Sequence, residues 1–365
     1  MYFYWDRKKM NHIRNMKNLS KKVFSVFFVL LIAKNSPAQE IVPGFIELHD
    51  KIWYLNNQGK IKLFDLNSEY SMEMPFVNPD TVSFIAKDRM GVPVIVDSRK
   101  YMKKFNLGQN KWNTVGQLPE MPLGMLFDTD NNCYVISKKG ILDLKTNNTY
   151  YSDASLNAQI LYYNSWSRGK PSFFIDRNNH IWIGFAYGEW GGNLLVFDTV
   201  STKFFIPELS GIRMMTDPVI GFFEDGEHTY ICSSNGHFST RSSVFKVENF
   251  KTSVTFESYR EEAVSDSGKK YYKEGAYIGA ATFDVFEDSF YFYTQNGMFK
   301  LSNRNFKQKR AWEKITGPAP AWTDHFLSAA ADVLDMKYTN NGRFAVLTKR
   351  SGTGYFNGKK WFILQ

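Results

Sequence analysis

Residues 173–197 read FFIDRNNHIWIGFAYGEWGGNLLVF, and the order of features in that stretch decides the fold. An apolar run (173–175) meets a polar turn, Asp176-Arg177-Asn178-Asn179. A second apolar run around Trp182 passes through Gly191-Gly192 into a third, residues 194–197. Short apolar runs separated by Gly, Asn and Asp read as an antiparallel meander. Six weaker copies accompany it. Ile52-Trp53-Tyr54, Val92-Pro93-Val94, Cys133-Tyr134-Val135, Thr229-Tyr230-Ile231, Phe290-Tyr291-Phe292 and Arg343-Phe344-Ala345 stand where Ile181-Trp182-Ile183 stands here. Units 40–61 residues apart, each with room for four strands, predict an all-β chain: a seven-bladed β-propeller with four-stranded antiparallel blades. A β-sandwich has no reason to repeat one meander in the same internal order. Pro93 lacks an N–H and is expected at a bulge or on an unpaired side.

Within the fourth unit, Asp176-x-Asn178-x-x-Ile181-Trp182-Ile183-Gly184, then Gly192-x-Leu194 and Phe197-Asp198, resembles the two-component-regulator propeller repeat. The third and sixth units match in part, the others in pattern. The resemblance implies an extracytoplasmic, ligand-sensing propeller, here expected to stand alone because no kinase segment follows.

The charge of +9 would suggest a nucleic-acid binder if it were spread over the chain. It is not. Residues 1–38 hold eight of the 45 basic side chains and one of the 36 acidic ones, leaving 37 against 35. The near-neutral remainder argues against a nucleic-acid partner. The leading segment reads as a secretory signal: Lys17, Lys21 and Lys22, an eleven-residue apolar run at 23–33, then Ser36-Pro37-Ala38. That run is too short to span a bilayer. Cleavage is expected after Ala38, with Met10 or Met16 as the true start. Residues 39–365 are expected to form one exported or periplasmic domain with no membrane span, acting as a monomer. Cys133 and Cys232 fall two units apart on apolar strands, so both are expected to be free, buried thiols.

Label the strands of a blade A to D from the centre outwards. Antiparallel order places A–B and C–D turns at one end and B–C turns and D–A links at the other. The A–B turns are short, whereas five long excursions belong to the second class: residues 150–171, 186–193, 232–244, 257–282 and 315–332. They carry Trp166, Tyr187, Glu189, Trp190, His237, Arg241, Tyr271, Tyr272, Trp322 and His325. Aromatic faces beside charged groups suit a carbohydrate or peptide ligand.

Motifs for common catalytic chemistries are absent, and no metal or cofactor is expected. Asp128-Thr129-Asp130-Asn131 starts like a calcium loop but lacks its later Gly and Glu. His49, His180 and His228 fall at short turns and are expected to be solvated. Asp324-His325 is the one catalytic candidate: His325 with Glu189, His237 or Arg241 is the kind of set an acid/base lyase or hydrolase uses on a glycan or cyclic ester. A lyase similar to streptogramin B lyase is therefore the second reading. An interaction scaffold for another envelope protein is the third.

Overall fold

The computed structural model describes residues 44–364 except 75–80, 138–139, 152–170, 187–190, 211–217, 237–239, 260, 274, 303, 305, 307–311, 318–332, 341 and 349–351. Residues 1–38 and the cleavage site lie outside the described residues. Seven sheets, each of four consecutive antiparallel strands, follow one another along the chain. Blades one to seven span residues 45–73, 82–117, 124–150, 172–205, 219–258, 278–316 and 333–364. The protein is a seven-bladed β-propeller. Among the described residues there is no helix, and none long and apolar enough to cross a membrane.

The B strands explain why the repeat is written as unbroken apolar runs. Their side chains alternate between the two neighbouring blades, so both faces are buried. In blade four, Ile181, Ile183 and Phe185 pack against blade three, and Trp182 packs against blade five. In blade six, Phe290 and Phe292 face blade five while Tyr291 and Tyr293 face blade seven. Seven such cores exist, each shared by two adjacent blades. The seventh joins blade seven to blade one through Phe45, Tyr54, Phe64, Ala345 and Tyr355. The ring is therefore closed.

Packing corrects two registers. The residue facing the following blade is Trp53, Tyr134, Trp182, Tyr230 or Tyr291 in five blades. In blade two it is Val94, not Pro93, and in blade seven Ala345, not Phe344. Pro93 is the first residue of its strand, opposite Lys87 and beyond the ladder to strand C, so its missing N–H costs nothing. In blade seven a bulge between Tyr338 and Asn340 slips the register of strand A against strand B, and the pattern shifts with it. Phe344 consequently faces backwards, 4.9 Å from the Tyr291 ring.

The Asp that opens the repeat in blades two to five is a clamp. Asp176 Oδ1 accepts the backbone N–H of Asn178 (2.9 Å) and of His180 (2.8 Å). Its Oδ2 accepts the Trp182 indole N–H at 2.9 Å and lies 3.1 Å from His180 Nδ1. Burial raises this carboxyl, but His180, Trp182 and the turn donors outweigh it and hold it below the usual carboxylate range. Asp88, Asp128 and Asp225 close their turns in the same way. Asn131 and Asn179, both at positive φ, accept the N–H of Arg89 and Thr129 from the preceding blade. His180 is not solvated as expected: it is largely covered, held by Asp176 and set edge-on against Phe250 at 4.7 Å. Cys133 and Cys232 are free and buried in different cores, and burial pushes the Cys133 thiol up to about 12.

Trp182→Ala should cost about 3–5 kcal/mol in chemical denaturation, since a fully buried ring is lost. Trp182→Phe keeps most of the volume but strips Asp176 Oδ2 of its donor, which should cost about 1–3 kcal/mol.

Candidate functional site

The sheet order puts every B–C turn and D–A link at the same end of the ring, as the excursions require. Two of the five excursions turn out to be partly strand. In blade four the strands run to Ala186 and resume at Gly192, and in blade five they run to Asn235 and resume at Arg241. The blade-five segment, expected as a long B–C turn, is serine-rich. Its hydroxyls are in fact buried and bonded to backbone. Ser234 Oγ–H donates to the Ile278 carbonyl (2.6 Å), Ser242 Oγ–H donates to that of Ala276 (2.7 Å), and Ser258 Oγ accepts the Ala276 N–H (2.8 Å). Gln295 donates to the Gly275 carbonyl and accepts the Tyr277 N–H. A Cβ at Gly275 would fall 2.3 Å from the Thr240 carbonyl oxygen, so only glycine fits there. The link from blade five to blade six is thus fastened at its end. It rises as a two-stranded ribbon, Glu261–Val264 paired with Lys270–Lys273.

Of the expected site residues, Tyr271 and Tyr272 lie on that ribbon, opposite Ala263 and Glu262. Arg241 opens strand C of blade five, opposite Asn235 and half-buried. The structure brings these three to one end of blade five and its exit. Trp166, Tyr187, Glu189, Trp190, His237, Trp322, Asp324 and His325 lie outside the described residues.

Strand A of each blade lines the centre. In blades two, five, six and seven its register slips by one residue just inside the loop-bearing end: Val82/Phe84, Val219/Gly221, Ile278/Ala280 and Val333/Asp335. Bulges of this kind re-aim side chains at the rims of closed sheets. A Cβ at Gly221 would meet nothing within 4 Å, so open space adjoins blade five's inner strand. No sequence signal announced these bulges, or the charged residues Asp335 and Lys337 beyond the last of them.

The opposite end is tied by charge. Asp225, Glu227 and His228 bring ligand atoms within 4.8 Å of one another, but Arg304 already supplies the cation. Its Nη1 lies 3.1 Å from Asp225 Oδ2 and 2.9 Å from Glu227 Oε2, and its Nε donates to Asp288 (3.2 Å). Among the described residues Asp128 bonds only within its own turn, which is the behaviour of a turn former rather than a calcium ligand. Glu287 accepts from Lys300, Tyr291 and Tyr338, each at 2.5 Å, and those donors, Lys300 first, pull it down to about 2.

No family model matches the chain, and no curated protein matches it in sequence. Among solved structures, PorZ, a bacterial surface component of the type-IX secretion system of Porphyromonas gingivalis, superimposes with a TM-score of 0.52 at 11% identity, over 88% of this chain and 47% of that one. A streptogramin B lyase gives 0.50 at 12% identity, over 88% of this chain and 95% of the other. An extracellular domain assigned to the hybrid two-component system BT3049 of B. thetaiotaomicron reaches 17% identity over 86% and 43% of the chains, with a TM-score of 0.29. Likeness at these identities shows the shared fold alone.

Because Glu287 is depressed in the folded state, its stabilising effect is present above the unfolded value of about 4.3 and fades as pH falls towards 2. Glu287→Gln should therefore flatten stability between those limits, read as a shallower acid-unfolding curve by circular dichroism. If the variant's curve keeps the parent's slope, the assignment fails.

Proposed function

We propose that this chain is an exported β-propeller that binds a carbohydrate or peptide ligand at the end carrying the B–C turns and D–A links of blades three to seven. The observation that carries the reading is the asymmetry between the two ends. At one end, carboxylate clamps pull the A–B turns of blades two to five tight against their blades. At the other, strands lengthen and a ribbon stands on a base fastened by Ser234, Ser242, Ser258 and Gln295. Ordered elements that add nothing to the seven cores need another reason to exist, and recognition sites sit on such extensions of a rigid scaffold. Tyr271 and Tyr272 ride on the ribbon, and the sequence places Trp190 and Trp322 in neighbouring segments of the same end. The signal at residues 1–38, with cleavage after Ala38, gives the domain at 39–365 an extracytoplasmic setting, where glycans and peptides are available.

The test is a glycan and peptide array probed with the purified protein and with a variant carrying Trp190→Ala, Tyr272→Ala and Trp322→Ala. The variant should bind at least tenfold more weakly while its thermal midpoint stays within about 3 °C of the parent's. Equal affinity in the two proteins would move the site elsewhere.

A further inference from the structure

The seam between blades seven and one differs from the other six at its inner edge. Elsewhere the inner strands meet through apolar side chains, as Ile46 meets Val82 and Phe84 meets Met125. In the closing seam, Lys337 lies opposite Ala345 and Asp335 opposite Leu347. Residues directly opposed in an antiparallel pair share a face, and Ala345 and Leu347 face blade one. Both charged side chains therefore project into this seam. Glu47 enters from the other side by the same rule, since it opposes Ile52, which faces blade seven. Lys337 Nζ sits 5.7 Å from the Phe45 ring, and Lys87 of blade two donates to the Glu47 carbonyl at 2.8 Å.

This group has room and, among the described residues, no ion pair within it. Ala345 is the smallest of the seven residues that face a following blade, where others place Trp, Tyr or Val. Asp335 is solvent-accessible and sits on an inner strand, one of those that line the centre of the ring. Among the described residues its one hydrogen bond is to the N–H of Met336 (2.8 Å). Among the described residues neither Asp335 nor Lys337 has an ion-pair partner within 4.0 Å. Burial raises the carboxyls of Asp335 and Glu47, the latter against the pull of Lys87 and Lys337, and it lowers the ammonium of Lys87. Each of these three shifts disfavours the charged form, and shifted groups of this kind gather at functional sites.

We propose that this part of the channel wall is a binding site for a free α-amino acid, with Asp335 accepting hydrogen bonds from the ammonium and Lys337 donating to the carboxylate. Both signs of charge are present on one face of one strand, with Cα atoms about 7 Å apart, a span that one zwitterion bridges when the two side chains lean together. Asp335 lies nearer the loop-bearing end and Lys337 deeper, so a ligand entering from that end meets the carboxylate first. The inference does not rest on the loop-end site proposed above.

The experiment is thermal unfolding of the purified protein with each of the twenty common amino acids at 10 mM, with ethylamine and propionate as single-charge controls. At least one amino acid should raise the midpoint by about 2–4 °C, and neither control should. Asp335→Asn and Lys337→Met should each abolish the rise while leaving the unliganded midpoint close to the parent's, because among the described residues neither side chain has an ion pair to lose. The Trp190, Tyr272, Trp322 triple variant should keep the response, which separates this site from the loop-end one. The proposal is overturned if no amino acid shifts the midpoint. It is equally overturned if the rise survives in both channel variants, or if both lose several degrees without ligand, which would mark the charges as braces of the seam.

Discussion

Burial on both faces of strand B is the constraint on which the rest of this molecule depends. A strand whose alternate side chains must each find a dry neighbour cannot end a stack, so every blade demands another on either side. Seven blades meet that demand by returning to the first. Closure here is made by side chains, not by a strand exchanged between the ends of the chain. Phe64 packs on Tyr355 (5.2 Å) and Phe362 (5.5 Å), Arg343 donates to the Leu66 carbonyl (3.3 Å), and Asn357 donates to Glu69 across 288 residues of sequence. Blade seven supplies all four of its strands from the C-terminal residues 333–364, and blade one supplies its own from 45–73.

From closure follows a division of labour between the two ends. The turn-bearing end is fixed locally, by an Asp in the repeat that holds its own turn and, in blades four and five, the aromatic side chain of strand B. This explains why the repeat couples Asp176 to Trp182 at a spacing of six: one carboxylate sets the turn and orients the ring that fills the next seam. The far end is free of that duty, and there the chain elaborates. The closing seam is exceptional a second time, because the small Ala345 and the charged Asp335 and Lys337 replace the apolar inner edge found in its six counterparts.

Much of this architecture was legible in the sequence. The double-sided B strands announce themselves as apolar runs, the Asp and Asn turns as punctuation, and the two lone cysteines as residents of separate cores. Register was less legible. Pro93 and Phe344 look like the seam-filling residues of their blades, but a strand start and a bulge move that duty to Val94 and Ala345. Residues 232–244 were expected as a long turn, but the strands run to Asn235 and resume at Arg241 because Ser234 and Ser242 find backbone groups to bond. Here those groups come from the link to blade six, distant in sequence. His180 was misjudged for a similar reason: its place at a turn suggested solvent, while Phe250 of the neighbouring blade covers it. Arg241, Tyr271 and Tyr272 reached the expected end of the ring, and the channel charges were missed because bulged strand A carries no pattern that singles them out.

The most direct test of the closed ring is zero-length carbodiimide cross-linking of the monomer followed by peptide mass spectrometry. Lys360 Nζ lies 4.0 Å from Glu69 Oε2 across the closing seam, and Lys51 Nζ lies 3.7 Å from Asp65 Oδ2 within blade one as an internal standard. The closed ring predicts a Glu69–Lys360 link in comparable yield to the Lys51–Asp65 link. Recovery of the standard without any Glu69–Lys360 link would contradict it.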